Sequence, residues 1–464
     1  MEPSQAVDQS PYARPSFKDM EGKPEHSIKT AEEDSIQIVN SDAPLHTWGA
    51  LGMNFTITAA PISIGSFLAL AIGLGGPPFF FYGFLFTGLG QLILCLAAAE
   101  IASSRPHLVG PQKYNRLAGY ILVVEVSIHQ YSSHSKPWHH FLVYVGVCIN
   151  ALVVNLPKVM DWSLSASLVF INGAALFVLI TLPVRANPKQ SATAVFVSVA
   201  NNSGWGSAAV VFFLNVLPGL ASLGTCDAAT HMSEELELPT RDVPWVMVGS
   251  ALLSYLVAIP TMTIFLFCIV NPEAMFSPVG GQPLIQLVSD GHASRMLTAI
   301  PSALIVVGFA IGSWEALISW SRLYWSFSRT NGFPFSNFTE RTTDGVPVNA
   351  LILGTALTIV IGAIQLGSTT ALNAVLGGAS LCSGFSWIVV FSFRPWLNLG
   401  KWGRSLSGFA ILWNMWMITW ASFPLLLPVT LSSMNWSSLV TVGVVVISFV
   451  YYILFYRYRS DEME

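Results

Sequence analysis

Apolar positions in this chain fall neither every second residue nor on one face of a helix but in long uninterrupted runs. Eleven runs stand out, near residues 49–74, 77–104, 138–157, 163–184, 203–233, 244–270, 296–328, 346–367, 371–393, 405–431 and 436–456. A run of about 18 or more apolar residues is long enough to cross a bilayer. Inside lipid its backbone has no water to bond, so each crossing is predicted to be helical. Between the second and third runs lies Leu117–Tyr131, apolar but interrupted by Glu125 and His129. At 1.5 Å per residue it reaches only about 22 Å, too short to cross comfortably.

Ahead of the first run stand about 45 mostly polar residues, rich in Ser, Pro, Asp and Glu. Their composition predicts a disordered cytosolic tail over 1–45, without the basic-then-apolar pattern of a signal peptide. A transmembrane domain over 46–458 and a short cytosolic tail over 459–464 complete the expected organisation. Composition agrees: 53% of residues are hydrophobic and 10% charged, against about 25% charged in a soluble domain.

Charge then orients the helices. With the short segment counted as a crossing, Arg105, Lys113, Arg116, Arg329, Arg341, Arg394, Lys401, Arg404, Arg457 and Arg459 share one side. Lys136, Arg185, Lys189 and Arg295 take the other. The positive-inside rule puts both termini in the cytosol, with twelve nominal crossings, the third truncated. Without that crossing the bias splits. Net charge is −4 and no basic block occurs, so a nucleic-acid partner is set aside. The five cysteines are scattered through apolar runs and spell neither a disulfide framework nor a metal motif. Phosphate loops and nucleophile elbows are also missing, so the chain is not expected to be an enzyme or to need a cofactor.

Two places carry candidate chemistry. The first span holds Pro61, Ile62, Ser63, Ile64, Gly65 and Ser66 at mid-run; the sixth holds Pro218 and Gly219, then Ser222, Leu223, Gly224, Thr225, Cys226 and Asp227. They lie five segments apart, as matched helices of a 5+5 inverted repeat would. Backbone unwound there would offer N–H groups to a carboxylate and C=O groups to a cation. Ser63–Ser66 and Ser222–Asp227 are therefore the candidate substrate-binding residues; the alternative is that Gly and Pro are simply common in membrane helices.

Glu315, midway through the eighth span, is the second. An intramembrane carboxylate costs several kcal/mol and is a functional candidate by default. It would couple protons or pair with Arg322, two turns away on the same face; the alternative is a purely structural charge pair. Asp227 and His231, spaced i and i+4, invite similar alternatives of contact with the unwound segment or helix packing. Glu234 and Glu235 read as a solvated cluster, and Trp413, Trp416 and Trp420 as packing and interfacial residues.

Several stretches resemble the fungal amino acid/choline/GABA permeases of the amino acid, polyamine and organocation (APC) superfamily. Most specific is Asp227-Ala228-Ala229-Thr230-His231-Met232-Ser233-Glu234-Glu235 followed by Pro239, Arg241, Asp242, Val243 and Pro244. Phe55-Thr56-Ile57 with Gly75-Gly76-Pro77, Ala99–Pro106, Ser321-Arg322 with Trp325–Arg329 and Gly332-Phe333-Pro334, Leu366–Ala371 and Met434-Asn435-Trp436 are similar to other family motifs. The resemblance covers residues 46–458. It implies an all-α polytopic membrane protein, an APC/LeuT-like 5+5 inverted-repeat bundle in the plasma membrane. It also implies secondary transport of a small amino or quaternary-ammonium solute, with protons as a coupling partner and lipid as surroundings. Three departures stand out: about 25 residues are missing around the third span, Arg329-Thr330-Asn331-Gly332 lacks the family's acidic position, and Ser383-Gly384-Phe385-Ser386 lacks the usual Ser-Tyr and later Pro. The missing material leaves a second reading, a non-transporting solute sensor or degenerate permease.

Overall fold

In the computed structural model all eleven apolar runs are helical. It describes residues 47–104, 137–224, 226–236, 238–278, 282–292, 295–329, 335–392, 403–431 and 433–456. The polar tail, the short segment Leu117–Tyr131 and residues 459–464 lie outside these.

The first span is three helical pieces, α1 (Thr47–Thr58), α2 (Ala60–Ser66) and α3 (Leu68–Gly73). The second span is α4 (Gly76–Ser104), the fourth α5 (Pro137–Val154) and the fifth α6 (Pro157–Arg185). The sixth is α7 (Ala208–Leu223) followed by a 3-10 segment, Cys226–Glu235, and the seventh is α8 (Pro239–Phe267). A ten-residue helix, α9 (Pro283–His292), precedes the eighth span, α10 (Arg295–Ser328). The ninth to twelfth are α11 (Val348–Gly367), α12 (Thr369–Ser392), α13 (Gly403–Ala421) and α14 (Ser437–Tyr451).

Among the described residues, seven helices are long and apolar enough to cross a membrane. Of the remaining runs, the first is cut into pieces and α13 is diluted by Arg404, Ser405, Ser407 and Asn414. On α14, Ile447 is 70% and Phe449 63% exposed, a surface that suits hydrocarbon surroundings and not water.

Several hydroxyls inside the spans are satisfied locally. Thr87, Thr261, Thr358 and Thr441 each donate to the carbonyl four residues back, at 2.7–2.8 Å, which fits them for a helix with no water to bond. The motif beginning at Pro239 starts a helix for ordinary reasons: proline opens the first turn of α8, and the Asp242 carboxylate accepts the Leu238 N–H at 3.2 Å.

Second-span helix α4 packs against α7 and α8, α5 packs against α11, and α12 against α13 and α14. One buried cluster joins α2, α3, α4, α6, α8 and α9; another joins α1, α5, α10 and α11. Where the first span meets the second, Leu74–Gly75 pairs antiparallel with Ala200–Asn201. Gly75 and Gly76 make that turn at φ 97° and 82°, a region that a side chain would strain.

Candidate functional site

The first span breaks at one residue. Ala59 sits in the left-handed region at φ 42°, ψ 42°, between α1 and α2. Pro61, in the first turn of α2, has no N–H to give the Ile57 carbonyl four residues back, so the ladder cannot pass through. Ala59 closes α1 by donating to Thr56 O at 3.0 Å, and its own carbonyl accepts the N–H groups of Ile62 and Ser63 at 3.0 Å each. A second bend follows at Phe67, φ −94° and ψ 0°.

Unwound backbone across Ser63–Ser66 is therefore corrected: these four residues are helical, and the break lies before Pro61. Ser63 is buried and turns its hydroxyl to Thr58 O at 3.4 Å; Ser66 donates to Ile62 O at 3.0 Å. Ile64 is buried in the apolar core. Gly65 serves close approach, because a Cβ there would run into the Leu284 side chain of α9.

The sixth span changes character instead of kinking. Pro218 and Gly219 lie inside a continuous helix, where Gly219 admits the Thr87 side chain of α4, 3.0 Å from an ideal Cβ. Ser222 is buried with its hydroxyl on Pro218 O at 2.9 Å, and Leu223 belongs to the same core as Ile64. The α-helix ends at Gly224, φ −83° and ψ 40°. Thr225 lies outside the described residues; Cys226 and Asp227 open the 3-10 segment, ten residues long. Runs above three or four residues are uncommon for this helix type and mark functional hinges or strain.

The two interrupted helices are neighbours: α2 packs against α7, and α1 against the 3-10 segment. The eighth span backs both, since Gly308 leaves room for the Ile62 side chain and Ala316, Leu317 and Ile318 share a cluster with Met53, Ile57 and Ala228. Glu315 is 2% and Arg322 4% exposed on that helix, and Arg322 Nη1 lies 3.5 Å from Ile318 O.

Three buried asparagines, neither charged nor helix-breaking, also tie separate segments together. Asn54 Nδ2 donates to Ser250 Oγ on the seventh span at 2.5 Å, Asn155 Nδ2 to Trp314 O at 2.9 Å, and Asn215 to the first span. The available signal was an amide within an apolar run, the lone asparagine of its run for Asn54 and Asn215 and one of two for Asn155. Among the described residues no group of three or more His, Cys, Asp or Glu could hold a metal ion.

The profile of a family described as "Amino acid permease" matches residues 114–447. The choline transporter of Saccharomyces cerevisiae is 26% identical over 98% of this chain and 89% of its own length, so its likeness takes in the first two spans as well. Amino-acid permease 2 of Neurospora crassa is 23% identical, with 87% of this chain and 83% of that protein covered. The backbone also superimposes on the crystal structure of a mutant manganese transporter from Eremococcus coleocola, with a TM-score of 0.52 at 15% identity over 87% of this chain and 93% of that one. That likeness is one of fold, an all-α polytopic transporter bundle.

Proposed function

The chain belongs to the amino acid permease family, and from that membership we propose that this membrane transporter carries amino acids or related amines such as GABA, choline or polyamines. One observation carries the reading: the breaks at Ala59 and Gly224 fall on helices packed side by side. Backbone leaving helical geometry at paired positions presents N–H groups and carbonyls that a carboxylate or an ammonium group can use. The solute sits between Ser63–Ser66 and Ser222–Asp227. With Ile64 and Leu223 committed to the core and the Ser63, Ser66 and Ser222 hydroxyls turned onto their own backbone, main-chain atoms at the two breaks do most of the recognition. Alternating access rocks one set of helices against the other around that site.

The reading extends to a plasma-membrane location with both termini cytosolic, a permease domain over 46–458 between tails 1–45 and 459–464, and proton coupling through Glu315. The names of the relatives support a small organic solute. Radiolabelled uptake across a panel of these solutes, in permease-deficient cells at two pH values, is the test. Accumulation of one class above vector control supports the proposal. No accumulation despite surface expression rejects it, and thermal stabilisation by a solute that is not taken up replaces it with a sensor.

A further inference from the structure

The outer end of the first span packs on the sixth through Leu74 against Val211 and Leu214, and one side chain adds hydrogen bonds to that contact. Asn215, wholly buried in α7, gives its amide Nδ2 to Ala71 O at 2.9 Å and to Leu74 O at 2.6 Å. Both carbonyls lie where α3 ends, and helix ends leave acceptors that need outside donors. The residue four beyond Leu74 is Pro78, which has no N–H. The amide oxygen of Asn215 has no donor among the described residues, so the side chain is kept for its two N–H groups. The same end is bound to the chain leading into α7, through Asn202 N–H to Gly73 O at 3.1 Å and the pairing of Leu74–Gly75 with Ala200–Asn201. On the other side of the break α1 packs on the 3-10 segment and α8, and its Asn54 reaches the seventh span.

We propose that Asn215 is a positioning residue that makes the outer halves of the first and sixth spans a single moving body, with Ala59 and Gly224 as its two hinges. This goes beyond the solute reading and rests only on the first and sixth spans moving during transport. Hydrogen exchange of the purified full chain tests the tie without any solute. In Asn215→Leu, which fills the space but donates nothing, amides of residues 68–75 should exchange about tenfold faster while α8 and α11 keep their protection. Asn215→Asp, which sets a carboxylate against two carbonyls, should do the same or more, and Asn215→Ser, a smaller side chain with one donor, should fall between. For a solute that the uptake panel identifies, the maximal rate should drop about tenfold with KM within about twofold, as expected when movement and not binding is impaired. Unchanged exchange over 68–75 in the variants overturns the proposal whatever uptake does. A rise in exchange throughout the protein also overturns it, by making Asn215 merely a stabilising residue.

Discussion

The first and sixth spans are interrupted by different physics, although the same residue types flag both. In the first, a single non-glycine residue stands in the left-handed region and regular helix resumes on either side. That conformation costs an L-residue about 1–2 kcal/mol, and such strain concentrates at functional sites. In the sixth, no residue with a described backbone is strained: Gly224 has a φ that any residue adopts, and the change is spread over ten residues of 3-10 helix. One break is a sharp joint and the other a soft stretch. Two spans that are matched in sequence position need not bend alike, and the flagging Pro and Gly need not be the bending residues.

The largest expected effect concerns the eighth span, because it backs both breaks and damage there should not discriminate between them. Arg322→Gln removes a buried guanidinium seven residues from a buried carboxylate. Taking one member from such a buried set is expected to cost about 3–5 kcal/mol and lower surface expression. Adding Glu315→Gln should restore part of it, measured by thermal unfolding of the four proteins of the cycle. Additive losses would show the two groups to be independent. Glu315→Gln alone, once expressed, should abolish the pH dependence of uptake, since Gln keeps the shape but cannot titrate; an unchanged pH profile rules out coupling through Glu315.

A smaller effect separates the two spans. Gly65 of the first span lies against Leu284 of α9 without room for a side chain. Gly65→Val is expected to destabilise by about 1–3 kcal/mol through overpacking. Leu284→Ala in the same chain should recover much of that, giving a coupling term where independent sites would add. Gly219→Ala meets Thr87 at 3.0 Å, a contact that a shift of a few tenths of an ångström relieves, so its loss should be well under that of Gly65→Val. Equal losses would erase the distinction between the close contact of α9 on the first span and the looser packing of α4 on the sixth.

These glycines show how far the sequence could be read. Apolar run length located every described span, because the bilayer imposes helix on any such run whatever its detailed packing. Break positions were legible only as neighbourhoods. Pro61 marks the first break because a missing N–H acts on the residues before it, so the joint falls at Ala59 and not at Gly65. Gly65 and Gly219 are set by partners more than a hundred residues away, Leu284 and Thr87, which no local pattern encodes. The Asn215 tie is invisible for the same reason: it depends on two carbonyls over 140 residues distant.

The finest test exchanges the residue types at the two joints. Ala59→Gly removes the left-handed strain of about 1–2 kcal/mol and adds chain freedom worth about 0.5–1 kcal/mol against the fold. The net is a gain of about 0.5–1 kcal/mol, on the order of 1–2 °C in thermal midpoint for a chain of this size. Gly224→Ala introduces no strain at φ −83° and should also stabilise by about 0.4–1 kcal/mol, by narrowing the unfolded ensemble. Stability alone therefore cannot tell the joints apart, but uptake can. If the sixth span bends further in the opposite state of the cycle, Gly224 supplies there the freedom it does not need here, and Gly224→Ala should lower the maximal rate in a protein that is at least as stable. Ala59→Gly should transport at or near the parent rate, because the sharp joint is fixed by Pro61 and survives the exchange. Full transport by Gly224→Ala would mean that the soft stretch does not bend through glycine at all, and the contrast between the two breaks would reduce to the strain at Ala59.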